Sequence, residues 1–391
     1  MSGISGIGTT FNLPNYHGEL FQITPSDTPL LTAIGGLTGG GQVDSPKFEW
    51  SEYDLRNPKQ PVTLEGANAP TAEERVRAKV ENVCQIHQEK VEVSYTKQAS
   101  IGQYANGNGG SSNAVTDELS WQTEQALKQM ARDVDYSFIN GIYKDAANNT
   151  EPRKTKGLIQ AAATNKVNKG TALTDASAAT DTITVTHALN NGDKVIFTDT
   201  GGLSTVVAGR VYYVVSKSTT ASFKVAETSG GTAITLGTAT VQMLVPSGTD
   251  TALTDIEDLI QMVYDNGGLA NGLGTLLVNS TQKRKISALY AAAYAKAVPV
   301  MGNVGGVNVT QLETDFGVLN IMLDRWVPQD ALVVCSLDQL RPVFLNIPGK
   351  GVFFEEALAK TGATDAVQIY GEVGLEFGNE RAHGVLRGLK L

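Results

Sequence analysis

Two alternating runs flank a long polar stretch near the start of this chain, and they limit what it can fold into. In "PKFEWSEYDLRN", Phe48 and Trp50 alternate with polar residues. The polar stretch "PKQPVTLEGANAPTAEE" follows, and then the chain returns in "RVRAKVENVCQIHQEKVEVSYTKQ". There Val76, Ala78 and Val80 alternate with charge, and later Val91, Val93 and Tyr95 do the same. Period-two alternation marks strands, so the segment reads as a hairpin. Strands rarely exceed about ten residues, so the return must bend, and the bend is expected near Asn82. Such a hairpin is highly charged and has too little apolar surface to stand alone in water. It must lie on another surface.

The other parts raise the same need. Residues 1–45 carry scattered apolar anchors (Phe11, Leu13, Phe21, Leu30, Leu31) with little period, and read as an extended arm that packs against something else. "NGNGGSSN" is a flexible linker. The strongest helix of the chain follows, over 113–145, with Leu119, Met130, Val134, Phe138 and Ile142 close to a 3.6-residue period. At 1.5 Å per residue it would be a rod of roughly 50 Å. Residues 171–250 then read as a self-contained all-β module of short alternating strands separated by Gly and Thr clusters. The pentapeptide "TALTD" occurs at both of its edges, at 171–175 and 251–255. The repeat is either chance in Ala/Thr-rich sequence or a boundary duplicated when the module was inserted; in the second case joining Gly170 to Thr251 gives an uninterrupted chain. The second copy is expected to cap a helix through Thr254 and Glu257. From there on the pattern is α/β: a helix ending at "NGG", the strand "GTLLVNS", the helix "TQKRKISALYAAAYA", the strands "VLNIMLDRWVP" and "ALVVCS", and a final strand, bend and strand.

No stretch carries the spacing of a catalytic or metal site. The four histidines stand apart, with no paired-ligand spacing. Cys84 and Cys335 form no disulfide framework and suit a reducing compartment. "GNGGSSN" lacks the Lys-Ser/Thr of a phosphate loop, and "IPGKGVFF" reads as a turn. Asp133 and Asp135, two apart on a helix, face different ways and cannot act as a carboxylate pair. Neither cofactor nor metal is expected, and the chain does not read as an enzyme. With 31 basic against 40 acidic residues it lacks the basic surplus of a nucleic-acid binder. Its tightest basic cluster, Lys283–Lys285, reads as a solvated or subunit-pairing helix face, with nucleic-acid contact as the alternative. No apolar run approaches a membrane span, and the first residues do not read as a secretory signal.

An arm, a hairpin that cannot stand alone, a long helix and an α/β end, in that order, suit a protein that assembles. The segments "KFEWSEYDLRNPKQPVTLEGANAPTAEERVRAKVENVCQIHQEKVEVSYTKQA", "SSNAVTDELSWQTEQALKQMARDVDYSFINGIYKD", "TDIEDLIQMVYDNGG" and "NSTQKRKIS" together resemble the major capsid proteins of tailed bacteriophages. The resemblance implies an α+β capsid fold: an N-terminal arm (1–45), an extended loop and first peripheral strand (46–98), and a peripheral domain (99–170) with its spine helix. An inserted immunoglobulin-like domain on the outer surface (171–250), an axial domain (251–345) and a return to the peripheral domain (346–391) complete it. It implies hexamers and pentamers closing an icosahedral shell around double-stranded DNA, assembled in the host cytoplasm, with portal and separate scaffolding or decoration proteins as partners. It places the loop near 57–74 across a neighbouring subunit, with Arg56, Lys59, Glu65, Glu73, Glu74 and Arg75 as contact residues, and the segment 267–317 near the capsomer axis. In some relatives Lys and Asn cross-link subunits, and Lys59 and Asn57 lie near the loop tip. The alternatives are a non-viral nanocompartment shell of the same fold and a phage tail or adhesion protein built around the β module.

Overall fold

The computed structural model describes residues 22–60, 62–99, 117–218, 220–269, 273–295, 310–360 and 362–391. The chain divides into two compact units. One comprises Met1–Asp27, Gln88–Arg132 and Phe354–Tyr370, and the other comprises Thr28–His87, Asp133–Phe353 and Gly371–Leu391.

In the larger unit the expected hairpin is present. Lys47–Tyr53 pairs antiparallel with Arg77–Val83, from Lys47↔Val83 to Tyr53↔Arg77. The strand breaks at Cys84, two residues beyond the expected bend, and resumes as Gln85–Ser94. Asn82 fixes this corner. It is fully buried, its amide donates to Leu375 O (2.7 Å) and Lys156 O (3.2 Å), and its Oδ1 accepts from Val83 N and Lys156 N (2.8 Å each). A buried amide with all these bonds made is stable where an unpaired one would be costly. The hairpin root packs on its own chain through Phe48, Cys84 and Val343.

The arm is less extended than its sequence suggests. Pro29–Ala33 is a short helix, and Leu30 and Leu31 are buried in this same unit. Leu31 N donates to the buried carboxylate of Asp135 at 2.7 Å, a partner 104 residues away. Gly41–Val43 then runs parallel to Arg341–Leu345. Phe11, Leu13 and Phe21 lie outside the described residues.

The long helix spans Glu118–Asn140, shorter at both described ends than the expected 113–145; residues 113–116 lie outside the described set. Asp117 starts it, its Oδ1 accepting from Leu119 N at 3.1 Å. Gly141 stops it. A Cβ there would meet Ser137 O at 2.4 Å and Thr155 O at 2.5 Å, because the chain crosses at Gly157 backbone on backbone. Val134 and Phe138 are fully buried and Met130 nearly so, while Leu119 is half-buried. Ile142 is a correction: it lies past the helix end, half-buried, and is no part of the stripe. Asp133 is exposed and Asp135 buried, as a spacing of two on a helix requires.

The β module differs from the expected immunoglobulin-like sandwich. Its six strands close into a barrel, in the order Ser222–Ala226, Thr182–Thr184, Thr171–Ala179, Ala239–Val245, Lys194–Asp199 and Val211–Val215. Closure removes every exposed edge, which a two-sheet sandwich does not. Leu173, Phe197, Tyr212, Phe223, Val225 and Met243 are among the buried residues of a core drawn from the module alone. The two ends of the module pair directly, Thr171 opposite Val245. The loop before Val211 docks on the spine helix: Tyr136 Oη donates to Ala208 O at 2.7 Å. A Cβ at Gly209 (φ +77°) would press on Pro328 at 2.9 Å.

The repeated pentapeptide folds in two ways. At 171–175 it is barrel strand; at 251–255 it leads into the helix Leu253–Asp265. That helix starts earlier than expected, and Asp255, not the pair Thr254 and Glu257, caps it by accepting from Ala252 N at 3.1 Å. Ile256, Leu259, Ile260 and Val263 bury its inner face against Leu276, Leu319 and Leu332. Each such side chain contributes about 1.5–3 kcal/mol on burial. The sheet beneath runs Gln311–Thr314, Gly317–Leu323, Leu273–Val278, Leu332–Cys335, Gly384–Arg387 and Lys166–Asn168.

In the smaller unit, Lys97 pairs with Glu118 of the spine at 3.9 Å, and the distal part of Gln85–Ser94 meets the start of the strand Thr364–Glu376. Thr364 Oγ1 donates to Glu92 Oε1 (2.8 Å) and Lys360 pairs with Asp365 at 2.9 Å.

Candidate subunit-contact surface

Among the described residues between Tyr53 and Arg77 the chain forms no strand, yet two local devices shape it. One is a turn at the tip, where Ala67 N donates to Leu64 O at 3.1 Å with Gly66 at φ +80°. The other is Glu73. Its carboxylate meets Arg56 Nε at 2.7 Å, Lys59 Nζ at 3.3 Å and Arg75 Nη2 at 3.8 Å, which ties the two limbs of the loop together. The hydrogen bond from Lys59 and the charge of Arg56 hold the Glu73 carboxyl below its usual range. Of the six charged residues expected to make contacts, four thus converge: Arg56, Lys59, Glu73 and Arg75. Glu65 sits apart in the tip turn, and Glu74 is exposed outside the cluster.

The sequence reading passed over a second set on the same loop. Tyr53, Leu55, Val62, Leu64 and Val76 are 72, 64, 82, 84 and 72% exposed. Scattered single apolar residues on a surface are ordinary, but four on one coreless loop, with Tyr53 at the end of the strand that leads into it, are not. Their signal was present, since every one is large and apolar, but Val76 was read as a strand residue and the others lay in or beside a stretch read for its polarity.

The loop springs from a fixed root. Lys47 Nζ bridges Glu81 (3.0 Å) and Asp145 (3.1 Å), and Tyr143 Oη donates to Glu81 at 3.0 Å. These two carboxylates raise the Lys47 pKa, and the Lys47 and Tyr143 hydrogen bonds lower that of Glu81. Trp50 Nε1 donates to Gly378 O at 2.9 Å, with its ring edge-on to Phe377 at 4.8 Å. Beside this root is a groove of about 550 Å³, walled by Trp50–Asp54, Val76 and Gly378–Arg381.

The residues that carry chemistry elsewhere are spent on structure here. Cys84 and Cys335 are buried thiols, pushed up to about 12 by desolvation. His87 is buried and lowered to about 4, and His383 is fully buried and also lowered. Among the described residues no group of His, Cys, Asp or Glu could hold a metal ion. The basic cluster is not one patch: Lys285 Nζ donates to Lys390 O at 2.5 Å, burial lowers the Lys283 pKa, and Arg284 is exposed. No helix among the described residues is long and apolar enough to cross a membrane.

This architecture is that of phage capsid subunits. Among solved structures the chain is similar to the capsid subunit of Cyanophage A-1(L), at TM-score 0.52 and 11% identity over 97% of each chain. It is similar to the capsid of Cyanophage P-SCSP1u at TM-score 0.51 and 10% identity, covering 96% of this chain and 92% of that one. For Mycobacterium phage Bobi the TM-score is 0.50 at 10% identity, covering 96 and 95%. At such identity the likeness speaks for the fold. The family model of the SU10 major capsid protein matches residues 3–390, and the chain belongs to that family. It is a structural protein of a bacteriophage capsid shell. A search of curated proteins finds no match.

Proposed function

We propose that the chain closes an icosahedral shell of hexamers and pentamers around double-stranded DNA, and that the loop 54–76 lies across a neighbouring subunit in each capsomer. The observation that carries this reading is the loop itself, with four exposed large apolar residues, Leu55, Val62, Leu64 and Val76, and no core of its own. Burying them between copies supplies the assembly energy at about 25 cal/mol per Å². The domain scheme follows: arm 1–45, loop and first peripheral strand 46–98, peripheral domain 99–170 and 346–391, axial domain 251–345. Residues 171–250 project from the outer surface. Support for the last point is a closed barrel with its own core and paired ends, which suits a tolerated insertion. A net charge of −9 gives the subunit no affinity for the DNA it encloses, so packaging falls to a portal and motor, and scaffolding or decoration to other chains. Assembly takes place in the host cytoplasm.

Cryo-electron microscopy of particles from the purified chain tests this. Closed shells with five- and six-fold capsomers and one outer knob per subunit are expected. Open sheets or tubes, or knobs on the inner face, would overturn it. Enclosed enzyme in place of DNA in native particles would favour the nanocompartment.

A further inference from the structure

The groove at the hairpin root has two aromatic side chains and an acidic character. Trp50 is held in place by Gly378 and Phe377, while Tyr53 and Val76 stand exposed on its rim. Glu52, Asp54 and Glu380 set three carboxylates along it against the single guanidinium of Arg381. Glu380 is satisfied by Thr164 and Ala163, and Asp54 lies 3.6 Å from Arg381. Glu52 is different: its Oε1 is buried with no hydrogen-bond donor among the described residues. Desolvation raises its pKa, with a hydrogen bond from Trp50 and the charge of Arg381 only partly opposing it.

A matching ligand is present in the sequence. Residues 58–64 read "PKQPVTL". Pro58 and Pro61 make a P-x-x-P spacing, which favours an extended, preformed segment that loses little entropy on docking. Such segments are recognised by grooves lined with aromatic rings, and acidic groups there select a neighbouring cation. Lys59 supplies that cation and no acidic residue lies within the segment. Its present partner, Glu73 at 3.3 Å, is an exposed ion pair of the kind that exchanges at small cost. Val62 and Leu64 are 82 and 84% exposed, so a subunit does not seat this segment in its own groove.

We propose that the root groove is the receptor for residues 58–64 of a second copy of this chain, with Lys59 meeting Glu52 and Val62 covering Tyr53 and Val76. The proposal rests on the reading that the loop crosses a neighbouring subunit, and adds where it lands. Tip-to-root contact uses two different surfaces of one molecule. A heterologous contact of this kind closes into a ring when the rotation permits. The limb from Asp54 to Val62 reaches roughly 26 Å when extended, which sets the span between adjacent roots.

The test places a benzophenone side chain at position 62 in the full chain and co-assembles light and ¹⁵N-labelled subunits. After irradiation, mass spectrometry maps the adducts. Mixed-isotope adducts on the peptides carrying Trp50–Asp54 or Val76–Lys79 are expected. Mixed-isotope adducts elsewhere overturn the groove but leave the crossing loop standing; adducts confined to one subunit overturn both. A second arm does not need shells. A fluorescent peptide of residues 56–64 should bind the full-length subunit, and about tenfold more weakly when the subunit carries Glu52→Gln or the peptide carries Lys59→Glu. Equal binding in all cases, or none, sinks the proposal.

Discussion

The barrel and the loop are opposite solutions to the same problem of edges and apolar surface. The barrel takes short strands and closes them, so every strand has two neighbours and Phe197, Tyr212 and Phe223 are buried among themselves. The loop keeps its apolar residues outside and spends its charges on holding its own limbs together through Glu73. A region that has internalised its core can be carried by a subunit without altering what the subunit touches. A region that has not done so leaves apolar surface that the proposed neighbour would cover. On the reading proposed above, the capsid subunit carries its assembly information in the segment with the least structure.

The largest effect that comparison forecasts is all or none. Deleting 58–72 removes the tip and leaves the paired strands Lys47–Tyr53 and Arg77–Val83 intact. Soluble, folded subunits that build no shells are expected, read by circular dichroism and electron microscopy. The barrel gives the mirror result: residues 171–250 expressed alone should melt cooperatively with a β-type spectrum, because their core is internal. Normal shells from the loop deletion, or an unfolded isolated barrel, would each break the contrast.

Next in size are single truncations. Phe223→Ala empties a fully buried barrel site and should cost about 3–5 kcal/mol in a urea titration. Leu64→Ala removes a side chain that is 84% exposed, so the same titration should barely move while shell yield falls. Equal stability losses would mean that the loop packs on its own subunit in solution.

Acid sharpens the distinction between the buried body and the loop. His87 is held neutral by burial, with a pKa near 4 in the fold against about 6.5 unfolded. Above pH 6.5 neither state is protonated and the stabilisation is complete. Below it the unfolded chain takes up a proton that the fold refuses. Stability then falls by up to about 1.4 kcal/mol per pH unit until the folded pKa is reached. His383 is shifted the same way, also by burial. Urea midpoints should decline between pH 6.5 and 5, and His87→Leu should flatten the decline. A midpoint independent of pH in that window would show that the two histidines are solvated.

How much of this was readable beforehand depended on whether the deciding partner was near in sequence. The hairpin, the strand Leu273–Val278 and the inner face of Leu253–Asp265 all follow from local period. The barrel's closure does not, because alternation gives the faces of a strand and not which strands meet around a circle. Leu30 and Leu31 read as loose anchors since their polar partner, Asp135, is 104 residues away. The helix end was misplaced past Ile142 because Gly141 stops it through a crossing with Gly157. On the loop, Arg56, Lys59, Glu73 and Arg75 were expected as contacts to a neighbour, and their convergence on Glu73 within one chain was not legible, because charge pattern alone does not show which limbs lie side by side. The exposed Tyr53, Val62 and Leu64 did not stand out, because only a fold shows that nothing in the subunit covers them.

The smallest expected effect lies in the Glu73 clamp. Its three cation partners are all substantially exposed, so Glu73→Gln should leave the melting temperature of the subunit unchanged. What the clamp does is restrain a strandless loop, and a protease needs several residues of unpaired, mobile backbone to cut. Trypsin has three sites there, after Arg56, Lys59 and Arg75; Pro58 does not block the first, since Asn57 follows Arg56. Loss of the clamp should speed cleavage at these sites a few-fold in free subunits, on the order of the change in open population that weak surface pairs control. Of the barrel's four basic residues, Lys194 and Lys224 on paired strands and Arg210 beside the docked loop should remain uncut over the same period. Assembly should then protect wild type and variant alike, because the neighbour covers the loop whether or not it is clamped. Cleavage in the barrel as fast as in the loop, or loop cleavage that persists undiminished in intact shells, would erase the difference between the two regions.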